Sequence, residues 1–436
     1  MSFQGLARRA LRNDFIRHGV LVFGALMFAN VLSYIFNFAI SRRIGVEAYA
    51  ALASLANGVA ILSIPSVIVN PIVVKYTAEF HAVEDRARVW LLAQRLLKVL
   101  GIGALVLLAI GMLLRGVAAS YLHIPNDLAV VLTLAIICII LISGSMRAVL
   151  QGVQDFRGSS TSIGLEALLK AAIAIALVYG LHAGVTAAMF GWFIATLSAL
   201  AYTVWVIGKH RVPNADQSQL SFDLRRLVRT STVVGLAMAA LTMLGFMDVP
   251  LVKHYFSPHE AGLYAAANLT GKVVFFLVSF LPAVLLPKAV AQVQRGESPL
   301  HLLAQAGGTT IIMAGGVLAV FGAMPGTIVR LLAGSAFAAA APYVFQYDLA
   351  MGLLALLTLI VYYRVALHRF GFLYPLGLVL TCEIGAIALF HQSLWNIVHI
   401  VLISNAVMCA ASVVGLARPV AAIAEQLPNS AQANAT

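Results

Sequence analysis

Charge is what this chain has least of. Asp, Glu, Lys and Arg together make 10% of its 436 residues, against roughly 25% in an ordinary globular chain. So few charges cannot solvate a water-facing surface. This excludes a soluble enzyme, a disordered chain and a nucleic-acid binder. Cysteine is also scarce. Cys138, Cys382 and Cys409 are odd in number, lie in apolar runs and lack metal-ligand spacing. They are expected as small core hydrophobes, neither disulfides nor ligands. No G-x-x-x-x-G-K-[ST] occurs, so the phosphate loop of nucleotide-driven pumps is missing. No loop is long enough to hold a water-soluble domain.

What fills the sequence is hydrocarbon. Hydrophobic residues make 61% of the chain and the mean hydropathy is +0.96. They fall in twelve runs: 19–40, 46–74, 91–114, 128–150, 161–181, 184–207, 230–252, 260–287, 302–324, 342–363, 372–391 and 395–417. A membrane helix needs about 20 apolar residues, and the runs lack the alternation of a barrel strand. The expected fold is therefore an all-α polytopic membrane protein with twelve transmembrane helices. Residues 1–18, with Arg8, Arg9, Arg12 and Arg17, pattern as an amphipathic surface helix and not as a cleaved signal.

The net charge of +12 has a topological explanation. Lys and Arg number 22 on the side that holds both termini and 5 on the other, with Lys272 left inside the eighth run. The positive-inside rule then places both termini in the cytoplasm.

The two halves resemble each other. Gly45-Val-Glu-Ala-Tyr49 precedes the second run, and His259-Glu-Ala-Gly-Leu-Tyr264 opens the eighth. Pro65 and Pro71 in the second run match Pro282 and Pro287 in the eighth. The expected organisation is an N-lobe over 19–207, a cytoplasmic linker over 208–229, a C-lobe over 230–417 and a cytoplasmic tail over 418–436. Six helices per half make a parallel repeat about an axis normal to the membrane, giving two pseudo-symmetric six-helix bundles. Proline-interrupted helices at matching positions point to a transporter's central site, and the four prolines are its candidate hinges. The plainer reading is that they bend helices to pack.

Three stretches carry a family likeness: Asn30 to Leu55, Arg147-Ala-Val-Leu-Gln-Gly-Val-Gln-Asp-Phe156, and Met247-Asp248 through Tyr264. With twelve helices in two lobes, the chain resembles the multidrug/oligosaccharidyl-lipid/polysaccharide flippase superfamily. Within it, the chain is similar to bacterial polysaccharide-export flippases. The resemblance implies a V-shaped pair of bundles whose central cavity opens alternately to each side. It implies translocation of undecaprenyl-diphosphate-linked oligosaccharide across the inner membrane for surface polysaccharide synthesis. Such a protein is no enzyme, because no bond is broken. It needs no cofactor and no metal, and binds no nucleic acid. Its substrate is the lipid-linked oligosaccharide, among membrane lipids, beside a polysaccharide polymerase or co-polymerase, and it works as a monomer. The rival on the same fold is a cation-coupled multidrug exporter. Those often carry an acidic residue in the first helix, where this chain offers Asn30, Ser33 and Asn37.

A diphosphate on its way across wants a fixed cation. Lys272 sits in the middle of a membrane run, where an unpartnered charge costs several kcal/mol, and Asn268 lies one turn before it. The alternative is an internal ion pair with Asp248 or Glu383. Asp248 and Glu383 are also candidates for gating or for holding a coupling proton or sodium ion, as is His399, although a packing role is favoured for His399. Asp348 is expected at the membrane interface. At the cytoplasmic mouth Lys75, Arg147, Arg157 and Lys170 are expected as a basic cluster that captures the headgroup, or as ordinary positive-inside charge. Glu166 and Lys170, spaced i,i+4, are expected to pair along one helix or to serve in gating. Arg42 and Arg43 break the inside bias. They meet the diphosphate on release or anchor the helix end to lipid phosphate. Asn30, Asn37, Asn57 and Asn70 line a sugar-binding cavity or pair helix to helix.

Overall fold

A computed structural model of the chain describes residues 14–209, 212, 224–414 and 416, apart from 125, 182 and 296. Most of the expected amphipathic segment, the core of the linker and the whole tail over 418–436 lie outside the described residues. Every regular element among the described residues is helical.

The first helix, α1 (Asp14–Leu62), runs through 49 residues. As one straight rod it would measure about 73 Å, more than twice the hydrocarbon core of roughly 30 Å. It is broken at Gly45, whose φ of 79° and ψ of 176° are closed to side chains bearing a Cβ. Two crossings are thus joined by a single glycine. There follow α2 (Ile64–Ala82), α3 (Arg86–Tyr121), α4 (Asp127–Gly152), α5 (Phe156–Leu181), α6 (Gly184–Gly208) and α7 (Leu224–Phe246). The remainder are α8 (Asp248–Tyr255), α9 (Pro258–Val278), α10 (Phe280–Gln294), α11 (Leu300–Ala323), α12 (Pro325–Leu332), α13 (Ala341–Ala366), α14 (Leu373–Leu389) and α15 (Leu394–Val413).

By length and composition, 10 of the helices can cross a membrane, and the pair α7 and α8, bent by 42°, adds another. Dividing α1 at Gly45 supplies the twelfth, so each apolar run has its helix. Where loops are short the ends are capped by side chains. The Asp85 carboxylate accepts from the Arg88 amide at 2.9 Å, and the Asn126 amide oxygen accepts from the Leu128 amide at 2.9 Å. The expected kinks fall at serines. Ser63 separates α1 from α2, with Pro65 just inside the new helix, and Ser279 separates α9 from α10, with Pro282 following. Proline withholds an amide and crowds the preceding turn, which explains a break one or two residues upstream. Pro71 and Pro287 lie inside the helices that follow.

The chain divides into two compact units. The first takes in the chain up to Thr242, with Val249–Ala266 and Val329–Ala339. The second takes Met243–Asp248, Ala267–Ile328 and the chain from Ala340 onward. The first unit packs Tyr76, Phe80, Leu92, Met146 and Leu150 at its centre. In the same unit α5 and α6 touch backbone to backbone, since a Cβ on Gly191 would lie 2.5 Å from the Ala174 Cα. Small residues let membrane helices approach closely, and close approach is the main attraction available in lipid. The second unit centres on Leu285, Leu303, Leu359, Tyr363 and Leu367. Leu113, Ile312 and Leu378 are among the large apolar side chains on the outside of their helices, where hydrocarbon solvates them. Cys382 is exposed in the same way, contrary to the expected core position, while Cys138 is buried with its thiol 3.2 Å from the Ala104 carbonyl.

Candidate functional site

Each unit encloses its own polar cluster. In the first, Arg147 on α4 reaches α5. Its Nε donates to the Ser162 hydroxyl at 2.9 Å, and its guanidinium forms an ion pair with the Glu166 carboxylate. The Ser162 and Thr203 hydroxyls lie 2.7 Å apart, which carries the network to α6. One helical turn beyond Glu166, the Lys170 amine stands 4.0 Å from the Trp192 ring and 4.8 Å from that of Phe36. A lysine charge held against ring faces recovers about 0.5–2 kcal/mol of its burial cost.

This arrangement corrects two expectations. Glu166 forms its ion pair with Arg147 across two helices, because the shorter reach along α5 lacks the fork of a guanidinium. The four expected basic residues also do not form one cluster. Lys75 is exposed and pairs with Glu79 at 3.8 Å on its own helix, and Arg157 is exposed at the start of α5. Both are exposed, whereas Arg147 is turned inward onto Ser162 and Glu166.

At the first hairpin the polar groups are engaged in packing. The Asn37 amide donates to the Ser33 carbonyl at 2.8 Å, and its oxygen accepts from the buried Tyr49 hydroxyl at 3.0 Å. The Arg42 guanidinium donates to the carbonyls of Arg330 and Leu331, each at 2.8 Å, and so closes the C-terminal end of α12. Ser41 donates to the Ala333 carbonyl at 2.8 Å beside it. Arg43 lies with its guanidinium 5.7 Å from the Tyr179 ring. The Asn70 oxygen accepts from Ser145 across α2 and α4 at 3.3 Å, and Asn57 donates to its own helix at the Ala53 carbonyl.

The second unit holds a buried acidic cluster. Asp248 opens α8 just past the bend and is 1% exposed. Its carboxylate accepts from the Tyr347 hydroxyl at 2.6 Å, and that hydroxyl in turn accepts from the Asn268 amide at 2.5 Å. One residue on, the Asp348 carboxylate accepts from the Thr270 hydroxyl at 2.7 Å. Glu383 on α14 is fully buried, with Asp248 and Ser404 as interacting polar neighbours. Gly271 makes room for this cluster, since a Cβ there would lie 2.7 Å from the Tyr347 ring. Lys272 is half-buried one turn beyond Asn268, its amine 4.8 Å from the centre of the Phe246 ring. The interfacial position expected for Asp348 is thus corrected, because the Thr270 hydroxyl supplies the hydrogen bond that water would otherwise give. His399 is exposed and stacks on Trp395, ring centres 5.7 Å apart. Tyr347, Thr270, Ser162 and Thr203 were absent from the sequence reading. The run Gln346-Tyr347-Asp348, three polar residues in an apolar stretch, was the available signal.

Charged groups are thus held inside bundles of helices long and apolar enough to cross a membrane. Solved structures share this fold. The fold is shared with an inward-facing multidrug resistance MATE family transporter of the MOP superfamily, at a TM-score of 0.74 and 11% identity over 94% of this chain and 99% of that one. It is shared with the lipid II flippase MurJ, at 0.67 and 13% identity over 91% of this chain and 86% of that one. A MOP superfamily transporter from Pyrococcus furiosus matches at 0.63 and 13% identity over 95% and 98%. No curated protein matches the sequence. The chain belongs to the polysaccharide biosynthesis protein family, which it matches over residues 16–290.

Proposed function

We propose that this protein flips an undecaprenyl-diphosphate-linked oligosaccharide across the bacterial inner membrane by alternating access, with both termini in the cytoplasm. The observation that carries the reading is the family match over residues 16–290, on a fold that a lipid II flippase shares. The chemistry of such a cargo sets what the protein must supply. The glycan cannot enter hydrocarbon and needs an enclosed polar path. The diphosphate needs fixed cations, for which Arg147, Lys170 and Lys272 are the candidates within the helical units. Its polyprenyl tail stays in lipid. No covalent bond changes, so no nucleophile or general base is required. The buried carboxylates Asp248, Asp348 and Glu383 are suited to exchanging a coupling proton or sodium ion.

A second reading, cation-coupled multidrug export, draws on the MATE fold and on that same acidic cluster. Against it stands the first helix, which offers no carboxylate over 19–40. The test is translocation of a fluorescent undecaprenyl-diphosphate oligosaccharide in proteoliposomes, comparing the natural protein with Lys272→Ala. Flipping by the natural protein and loss in the folded variant support both the function and the cation. An absence of flipping under either an ion gradient or a membrane potential moves drug export ahead.

A further inference from the structure

The first unit contains a cavity of about 820 Å3 that the flippase reading does not use. It is lined by residues at and beside helix ends: Glu47 just past the Gly45 break, Ser120 at the end of α3, Thr186 at the start of α6 and Lys253 near the end of α8. On the topology proposed above, with both termini in the cytoplasm, these ends fall on the outer side. Such a volume falls within the range of about 300–1,000 Å3 typical of small-molecule sites. Alanines form much of its wall.

Lys253 is the unusual residue here. It lines the cavity from α8, its side chain is 2% exposed, and among the described residues no hydrogen bond or ion pair engages its amine. A buried ammonium is costly unless something in the cavity receives its three donors. Lys253 is also held in place. Its neighbour His254 makes a 2.7 Å hydrogen bond to the Tyr121 carbonyl and stacks on the Tyr121 ring at 3.8 Å, which fastens α8 to the end of α3. Glu47, exposed and part of the same lining, is the charge that acts on Lys253. His123, Ser120, Asn126 and Thr186 complete the polar lining. Asn126 and Thr186 are already joined at 3.2 Å, so that part of the wall is pre-organised.

The charge balance selects the ligand. One ammonium faces one carboxylate, so a diphosphate would gain from Lys253 and be repelled by Glu47. A polyhydroxylated ligand of no net charge suits the pair, because each hydroxyl both donates and accepts. Lys253 and Thr186 donate, Glu47 accepts, and the alanine walls admit the flat face of a sugar ring.

We propose that this cavity is a saccharide-binding site on the outer face, a station that holds the glycan of the lipid-linked cargo after it has crossed. The proposal rests on the flippase reading for the source of its ligand.

The test uses the full chain in lipid nanodiscs. The probe is the phosphate-free oligosaccharide that mild acid releases from the lipid-linked fraction of the producing cells, with inorganic pyrophosphate as the competing probe. The natural protein is expected to bind the oligosaccharide, and Lys253→Met to weaken that binding by about tenfold or more, the worth of a hydrogen bond from a charged group. Pyrophosphate at the same concentration is expected not to displace it. Unchanged affinity in Lys253→Met, or displacement by pyrophosphate, overturns the proposal. Should Lys253→Met not fold, Ala183→Cys in the otherwise natural chain reports instead through a membrane-impermeant maleimide. Slower labelling with the oligosaccharide present supports the site, and unaffected labelling overturns it. Flipping is measured in parallel. A protein that flips but binds no free oligosaccharide defeats this proposal and leaves the flippase reading standing. One that binds through Lys253 but flips nothing defeats the flippase reading and with it the station role, and leaves only the saccharide site.

Discussion

Replacing Tyr347 by phenylalanine removes one oxygen from the second unit and two hydrogen bonds with it. The hydroxyl donates to Asp248 at 2.6 Å and accepts from Asn268 at 2.5 Å, and all three side chains are buried. A neutral buried hydrogen bond contributes about 1 kcal/mol and one to a carboxylate about 1.5–3 kcal/mol. The ring itself still fills its place against Gly271, so no cavity cost is added. The expected loss for Tyr347→Phe is therefore about 2.5–4 kcal/mol. Unfolding by sodium dodecyl sulfate in mixed micelles, followed by tryptophan fluorescence, measures it. Asp248→Asn in the same assay should cost less, because the amide oxygen can still accept from the tyrosine. In the double variant the two losses should fall short of their sum by 1 kcal/mol or more, since the residues touch. A loss below about 0.5 kcal/mol for Tyr347→Phe, or strict additivity, would refute the view that this network holds the α8, α9 and α13 segments together.

Arg147→Met leaves the Glu166 carboxylate in a half-buried position without its guanidinium and should cost about 3–5 kcal/mol. The double variant Arg147→Met, Glu166→Gln should recover most of that, as read by the same titration. A double variant worse than either single would show that the pair stabilises the unit beyond mutual neutralisation. Gly191→Val drives a side chain into the Ala174 backbone and should cost about 1–3 kcal/mol or more by overpacking. Retained thermal stability in detergent would mean that α5 and α6 can part cheaply. Gly45→Ala forces a Cβ into a backbone region reserved for glycine, at about 1–3 kcal/mol. Its yield of folded protein after size-exclusion chromatography should drop, and an unchanged yield would place the hairpin elsewhere.

Much of the fold was legible because hydrocarbon thickness leaves few choices. An apolar run of membrane length must be a helix, and twelve runs became twelve crossings. The paired prolines marked the two broken helices, although the breaks themselves sit upstream at Ser63 and Ser279. Partnerships were harder to read. Sequence places Lys170 four residues from Glu166, but only the packing of α4 on α5 shows that Arg147 makes the ion pair. Asp348 lies near the end of an apolar run, and depth along a helix says nothing about which way the side chain faces. Tyr347 passed unnoticed because a tyrosine in a membrane helix is ordinary until two buried polar groups converge on its hydroxyl. Lys253 was counted only as topological charge, since its burial depends on helix ends distant in sequence.

The helix breaks at Ser63 and Ser279 lie 216 residues apart, one more than the 215 between Tyr49 and Tyr264. The same break thus recurs at the same place in each half of the sequence, and what the halves do not share stands out against it. Counted from the tyrosines, the counterpart of Lys272 is Asn57, an amide that donates to its own helix. The same place is neutral in one half and charged in the other, so the two halves cannot stand in for one another there.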